Sequence, residues 1–143
     1  MSGKKVLLVD DEQEFVEVLA MRLEARSLEV DTAATGEQAL EQVKDKVYDA
    51  IVLDIAMPGL DGMETLKRLK DRNPDCQVVL LSGHATVRNA TEAMGLGALD
   101  VLEKPADIEQ LVARIDQAAV NKAELAEKRI GETVSDIISK KGW

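Results

Sequence analysis

The sequence is poor in cysteine and in aromatic residues, and each scarcity excludes a class of protein. Cys76 is the single cysteine, so one chain cannot form a disulfide framework or a cysteine-based zinc cage. Aromatic residues make up only 2% of the chain, namely Phe15, Tyr48 and Trp143. This argues against stacking platforms for nucleic-acid bases, sugars or flavins. The core of the protein must therefore be built from aliphatic side chains.

Positive charge and long apolar runs are also scarce. Lys and Arg number 18 against 27 Asp and Glu, which gives a formal net charge of −9. Direct binding of nucleic acid is not expected, because affinity for the phosphate backbone comes largely from Lys and Arg. The apolar run after Lys4 and Lys5 is interrupted by Asp10 and Asp11, so it predicts neither a signal peptide nor a membrane span. We therefore expect a cytoplasmic, bacterial-type protein without membrane association.

The 143 residues alternate between two kinds of segment. Short, nearly continuous aliphatic runs predict buried strands, and each is followed by a longer segment with the spacing of an amphipathic helix. The predicted strands are 5–9, 30–34, 50–53, 77–81 and 99–102. The order βαβαβαβαβα predicts an α/β fold with a parallel sheet and helices on both faces. Such folds bind ligands at the carboxyl ends of their strands.

The end of the chain differs from the rest. We expect residues 1–118 to form one domain and residues 119–143 to form a C-terminal extension. The extension is predicted to be helical, since four apolar residues fall on one face: Ile130, Val134, Ile137 and Ile138. Gly131 lies within this helix and weakens it by about 1 kcal/mol relative to alanine. The apolar stripe is too short to predict a coiled coil.

Polar side chains stand at the carboxyl ends of four of the five predicted strands. They are Asp10 and Asp11 after the first strand, Asp54 after the third, Ser82 after the fourth and Lys104 near the end of the fifth. Each has an ordinary explanation taken singly: Asp11 could cap the first helix, and the others could be solvated turn or surface residues. Three carboxylates, a hydroxyl and an ammonium at one sheet edge are hard to explain by solvation alone.

The chemistry of this set is that of a phosphoryl-transfer site. Three ionised carboxylates repel one another unless a cation intervenes, and Mg²⁺ (or Mn²⁺) prefers oxygen ligands. A metal, Lys104 and the Ser82 hydroxyl could then contact three phosphoryl oxygens. Asp54, on the central strand, is the candidate nucleophile. The turn after it could bring the Ala56 carbonyl to the metal, and the bond before Pro105 is one where cis geometry is accessible.

Four motifs together resemble the receiver domain of bacterial two-component response regulators. They are Val9-Asp10-Asp11-Glu12, the segment from Asp54 to Gly62, Ser82-Gly83-His84 and Lys104-Pro105. The resemblance covers about residues 4–118. It implies a flavodoxin-like, doubly wound sheet of five parallel strands in the order 2-1-3-4-5. It also implies phosphotransfer from a sensor histidine kinase, or a histidine phosphotransfer protein, to Asp54.

The resemblance assigns roles to the other residues of the site. Asp10 and Asp11 match the acidic metal-binding pair, with Asp11 favoured as the direct ligand. Ser82 matches the switch hydroxyl and Lys104 the lysine of the family pattern. Phosphorylation of Asp54 would add negative charge, pull on both of these side chains and change the surface of helix 4, strand 5 and helix 5 that a partner contacts.

Three further positions are expected to tune this switch. Many receivers carry Tyr or Phe two residues before the lysine, where this chain has Leu102, so an aromatic switch is not expected. Ala56 and His84 match positions that set how fast the acyl phosphate hydrolyses. Ala56 cannot orient a water molecule, whereas His84 could do so or could contact a partner. An exposed loop histidine without either role explains His84 equally well.

The segment 82–87 also resembles receivers attached to ATPase-type transcription activators. Neither an ATPase nor a helix-turn-helix fits into the remaining residues. The chain is therefore expected to be either a stand-alone receiver acting on a downstream protein or a fragment that ends after a linker helix. Its extension could dimerise the domain, dock on it or lead into a lost output domain.

Other function classes fit the sequence less well. A phosphatase of the haloacid-dehalogenase type also uses an aspartyl nucleophile and Mg²⁺, but it needs a second acid where Ala56 stands. A flavodoxin-like FMN carrier would need a Ser/Thr/Gly-rich phosphate loop and aromatic ring covers. A pseudo-receiver that only docks proteins is disfavoured because the acidic, hydroxyl and lysine positions are all filled. We therefore expect a phosphoacceptor signalling domain and no enzyme with a separate substrate.

Overall fold

The computed structural model describes residues 3–56, 61–83 and 87–140. The predicted turn at Pro58-Gly59 and the predicted tuning residue His84 lie outside these ranges. The described elements are β1 (Lys5–Val9), α1 (Gln13–Glu24), β2 (Glu29–Ala33), α2 (Gly36–Asp45), β3 (Ala50–Asp54), α3 (Gly62–Arg72), β4 (Val78–Ser82), α4 (Val87–Gly95), β5 (Asp100–Glu103) and α5 (Ile108–Lys140). The predicted alternation is confirmed, with strand ends displaced by one residue at most.

The strands form one parallel sheet in the order β2-β1-β3-β4-β5. This confirms the predicted flavodoxin-like topology. Every residue of β3 and of β4 is buried. The reason is visible in their sequences, since nearly continuous aliphatic strands are stable only where helices cover both faces of the sheet.

Two hydrophobic clusters cover the two faces. The first core cluster packs α1 and α5 against one face, with Leu19, Leu23, Leu111 and Ile115 among its buried members. The second core cluster packs α2, α3 and α4 against the other, with Ala39, Leu66, Leu69 and Ala93 buried. Alternate residues of each strand contribute to opposite clusters, as the period of two in a strand requires. The sheet is thereby covered on both faces, and its carboxyl edge lies at the border of both clusters.

Among the described residues, side-chain caps begin three of the helices at this edge. Thr35 accepts from the backbone N–H of Gln38, and Asp61 accepts from that of Glu64. Asp107 accepts from the N–H of Glu109 at 2.9 Å. By contrast, α1 begins after Glu12 without a side-chain cap hydrogen bond. The capping explanation for Asp11 is therefore wrong.

Gly62 allows α3 to begin directly against the end of β3. Its N–H donates to the Ile55 carbonyl oxygen at 2.8 Å. A Cβ at this position would overlap the carbonyl oxygen of Asp54 and lie 2.5 Å from the Cα of Ile55. Both are backbone atoms that cannot move aside, so the close approach requires glycine.

The last helix continues without a break across residues 118 and 119 and extends to Lys140, the last described residue, over 33 residues. Two ion pairs tie it to the amino ends of the strands: Lys122 Nζ lies 3.1 Å from Asp49 Oδ1, and Arg129 Nε lies 2.7 Å from Asp75 Oδ2. Residues 119–140 are thus helical and continuous with the last helix of the domain, while a separate C-terminal extension stays a prediction. No helix within them combines the length and apolar character needed to cross a bilayer.

Candidate functional site

Two buried aspartates meet at the carboxyl edge of the sheet. Asp10 directly follows β1, and Asp54 is the last residue of β3, the neighbouring strand. Their exposed fractions are 5% and 4%. Glu12, at the start of α1, is exposed but turns toward them, so that carboxylate oxygens of all three residues lie within 4.8 Å of one another. The sheet topology therefore assembles a compact group of negative charges.

Lys104 supplies the positive charge among these acids. Its Nζ lies 2.7 Å from Asp10 Oδ2, 3.3 Å from Glu12 Oε1 and 3.6 Å from Asp54 Oδ1. The lysine side chain is only 13% exposed. Its backbone N–H donates to the Ser82 carbonyl oxygen at 2.7 Å, which links the end of β4 to the segment that carries the ammonium. Acids from two other parts of the chain, the β1–α1 turn and the end of β3, thus meet at one ammonium group.

The environment opposes ionisation of Asp54. Burial raises the pKa of this carboxyl to about 6, and the negative charge of Asp10 contributes in the same direction. Lys104 and the Ala56 N–H, which donates to Asp54 Oδ1 at 3.4 Å, favour the charged form and only partly offset the effect. Burial is thus the main reason that Asp54 favours its protonated form, and the nearby charge of Asp10 adds to it.

Lys104 responds in the opposite sense. Burial by itself would lower the pKa of its ammonium, but the hydrogen bond and charge of Asp10, followed by the charge of Asp54, raise it overall. The ammonium is therefore charged throughout the physiological range. A permanent cation at this place can pair with an anionic group that approaches Asp54.

Of the predicted acidic pair, only Asp10 belongs to the group of three carboxylates. Asp10 is in the group, with its Oδ1 accepting from the Glu12 N–H at 2.9 Å. Asp11 is exposed and lies outside the three-carboxylate group, in which Glu12 takes part instead. Glu12 was missed as a site residue although it belongs to the quoted motif, because the direction of each side chain depends on the turn between β1 and α1. The direct-ligand role of Asp11 stays a prediction.

The remaining predicted residues fall around this group. Ser82 ends β4 and is buried. Ala56 is described and its N–H contacts Asp54, while its predicted carbonyl ligation stays a prediction. The peptide bond between Lys104 and Pro105 is cis. These positions place the predicted hydroxyl and ammonium at the same sheet edge as Asp54.

Leu102, the position at which many receivers carry an aromatic switch residue, does not lie on the face of the sheet that α4 covers. It is buried in the first core cluster, beside α1 and α5. The β5 residue that packs in the cluster of α4 is its neighbour Val101. Neither residue is aromatic, so an aromatic side chain that swings past α4 is not available from either position.

An aromatic side chain does contact the site, from another element. The ring centroid of Phe15, on α1, lies 4.4 Å from Lys104 Nζ. In the sequence, Phe15 stands out only as one of the few aromatic residues. Its contact with Lys104 joins residues far apart in the chain, and no local spacing signals it.

Comparisons with known proteins agree with this geometry. The family model for the response regulator receiver domain matches residues 6–116. The transcriptional regulatory protein ZraR of Klebsiella oxytoca is 38% identical over 135 residues, which cover 93% of this chain and 30% of ZraR. The chain thus spans about a third of the length of this curated relative.

Solved structures show the same likeness. A receiver domain protein from Clostridium thermocellum superposes with a TM-score of 0.82 at 32% identity, covering 86% of this chain and 99% of that one. The response regulator TrrA of Thermotoga maritima, solved in complex with Mg²⁺ and BeF, gives a TM-score of 0.74 at 29% identity and covers 81% of this chain and 99% of that one. This chain belongs to the family of response regulator receiver domains.

Proposed function

We propose that this chain accepts a phosphoryl group on Asp54 in a divalent-cation-dependent reaction and uses it to switch a protein-binding surface. The observation that carries this proposal is the placement of Asp54. Its carboxyl is buried at the carboxyl edge of the sheet, within ion-pair distance of Lys104 and beside two further carboxylates. Membership of the receiver family supports the same chemistry.

The acidic group fits a divalent cation. Three carboxylates lie within 4.8 Å of one another, and burial, with the charge of Asp10 as the second cause, raises the pKa of Asp54. Oxygen donors of this kind suit Mg²⁺, and Mn²⁺ is the alternative. Asp10, Asp54 and either Glu12 or Asp11 would hold the ion together with the Ala56 carbonyl. When bound, the cation would supply positive charge to oxygens of the incoming phosphoryl group.

Individual residues of the chain would then have separate roles in the reaction. A carboxylate oxygen of Asp54 attacks phosphorus, the new O–P bond forms, and the P–N bond of the donor phosphohistidine breaks. The imidazole leaves with the electron pair and takes up a proton. Lys104 would pair with one phosphoryl oxygen, and the Ser82 hydroxyl would donate to another. Without divalent cation, the raised pKa of Asp54 would keep a larger fraction of the nucleophile protonated near pH 6.

The proposed switch acts through the elements that carry these groups. Movement of Ser82 and Lys104 toward the phosphoryl group would shift β4, α4 and β5, and so change the face that a partner contacts. We infer a sensor histidine kinase, or a histidine phosphotransfer protein, as the donor, and a downstream protein or an attached output domain as the target. We also propose a domain boundary near residue 118, a cytoplasmic location and no activity beyond phosphorylation and dephosphorylation of Asp54 itself.

The proposal is tested by incubating the protein with a small phosphoryl donor and Mg²⁺ and measuring its intact mass. We expect wild type to gain one phosphoryl group and Asp54→Asn to gain none. Asp49→Asn is the matched control, because Asp49 lies at the opposite end of the same strand and should not affect labelling. Chelation of the cation should suppress labelling of wild type. Equal labelling of wild type and Asp54→Asn would show that Asp54 is not the acceptor.

A further inference from the structure

Lys104 is surrounded by more acceptors than it needs. Three carboxylates lie between 2.7 and 3.6 Å from its Nζ. Each offers two oxygens, so ion pairing alone does not select one position for a flexible lysine side chain. Lys104 should nevertheless hold one position if, as proposed above, it is to meet an oxygen of the phosphoryl group beside Asp54.

The ring of Phe15 contacts the same ammonium. Its centroid is 4.4 Å from Lys104 Nζ, well inside the distance at which a cation is attracted to an aromatic face. Phe15 is half-buried and packs against the first core cluster, so its ring is held by α1 and the sheet. Asp10, Phe15 and Asp54 also share the wall of a cavity of only about 10 Å³. That cavity leaves little room for water below Asp10 and Asp54. The Lys104 side chain is itself only 13% exposed, and a cation–π contact is stronger where water is excluded.

A ring can position the ammonium in a way that a fourth carboxylate could not. An additional acid would neutralise more of the lysine charge and would compete with an incoming phosphoryl oxygen for its N–H groups. The aromatic face attracts the ammonium without carrying a formal charge. It therefore leaves the positive charge available to a phosphoryl group at Asp54.

We propose that Phe15 is a positioning residue that holds the Lys104 ammonium beside Asp54 through a cation–π contact and thereby sets the rate of phosphorylation. This inference rests on the proposed function for its effect on rate. The contact between Phe15 and Lys104 can be tested without it.

The composition of the chain makes an unusually clean experiment possible. Phe15 is its single phenylalanine. Growth with 4-fluoro-, 3,5-difluoro- or 3,4,5-trifluorophenylalanine therefore changes this ring alone, weakening the negative charge of its face in steps while nearly preserving its size. We expect the rate of labelling by a small phosphoryl donor to fall in the same order, to roughly a half to a tenth of the wild-type rate for the trifluoro ring. The thermal unfolding midpoint should stay nearly constant across the series.

Substitutions provide the matched controls. Phe15→Leu should slow labelling at least as much as the trifluoro ring, and Phe15→Tyr, which keeps an aromatic face, should restore most of the rate. Phe15→Leu grown with trifluorophenylalanine contains no fluorinated residue, so its rate of phosphorylation must equal that of Phe15→Leu grown without the analogue. A trifluoro protein that is phosphorylated as fast as wild type would overturn the proposal. Slower labelling in Phe15→Leu without any trend in the fluorinated series would also overturn it, because packing would then be the only role of the ring.

A second readout separates this inference from the proposed function. NMR signals of the Lys104 ε-methylene protons, assigned by their loss in Lys104→Met, should be shifted upfield by the ring. They should return toward ordinary lysine positions in Phe15→Leu. If the wild type is not phosphorylated at all, the proposed function fails, whereas the NMR shift still reports the contact. Identical Lys104 signals in wild type and Phe15→Leu would refute the contact itself.

Discussion

The two ends of the sheet both pair acids with bases, yet the pairs differ in their burial and in the number of charges that they share. At the carboxyl end, Lys104 and Asp10 are 13% and 5% exposed and share their charges with further acids. At the amino end, Lys122 and Asp49 are 32% and 24% exposed, and Arg129 pairs with Asp75 at a similarly open place. Screening by water makes the amino-end pairs weak tethers for α5. Desolvation at the carboxyl end instead changes the chemistry of the groups themselves.

The largest effect on stability is expected where the backbone is crowded at the carboxyl end of the sheet. Gly62→Ala would drive a Cβ into the backbone at Asp54 and Ile55, and we expect it to lower the free energy of unfolding by about 3 kcal/mol. Urea unfolding followed by circular dichroism measures this change.

Gly131→Ala is its matched control in the extension. A Cβ there meets nothing within 4 Å, so helix propensity should dominate and the change should be neutral or stabilise by up to about 1 kcal/mol. Equal effects of the two substitutions would show that the close approach of α3 to β3 is not a constraint.

The next largest loss of stability is expected from removal of the buried Lys104 ammonium. Lys104→Met leaves Asp10, Glu12 and Asp54 without their counter-charge, and we expect a loss of about 2 kcal/mol at pH 7.5 without divalent cations. Added Mg²⁺ should restore more stability to this variant than to wild type.

The matched control for Lys104→Met is removal of Lys122, whose ion pair with Asp49 is exposed at the amino end of the sheet. Lys122→Met should cost less than about 1 kcal/mol, and the loss should shrink further at high salt. Similar losses for the two lysine variants would contradict the contrast drawn between the sheet ends. Both values come from the same urea experiment.

Ionised Asp54 should destabilise the fold, whereas Lys104 stabilises it. The effect of Asp54 should be smaller and should depend on pH. Its pKa is raised to about 6, above that of an unfolded aspartate near 4. Between these values the folded state binds more protons than the unfolded state, so stability falls as the pH rises through this window. Asp54→Asn removes the effect and should be more stable than wild type by about 1 to 2 kcal/mol above pH 7, with no advantage near pH 4.

A pH series of unfolding curves, without divalent cations, checks this expectation. Asp49→Asn should show no such gain, because Asp49 lies at the open end of the strand. An advantage of Asp54→Asn that did not change between pH 4 and pH 8 would argue against the raised pKa.

The aliphatic runs predicted the fold because a strand covered on both faces has few alternatives. The run at residues 5–9 gave β1 with its exact bounds, and the others missed by one residue where chain ends meet turns. Asp10, Asp54, Ser82 and Lys104 were predicted as a site because strand topology alone brings them to one edge. Their assembly did not depend on side-chain detail.

The details that sequence reasoning missed depend on geometry between distant elements. Asp11 and Glu12 are neighbours in sequence, and only the turn before α1 determines which of them faces Asp54. The contact of Phe15 with Lys104 and the pairing of Arg129 with Asp75 join residues far apart in the chain. No periodicity records such contacts, because they follow from how completed helices and strands pack.

The unbroken length of α5 has a mechanical consequence. The helix starts three residues after Pro105, close to Lys104, and runs past the opposite end of the sheet. Its 33 residues give a rod about 50 Å long, since each residue adds about 1.5 Å. A tilt of only about 5° at the first turn would carry the far end through roughly 4 Å. If the ion pairs at Asp49 and Asp75 yield, a small displacement at the start of the helix would therefore become a larger one at its far end.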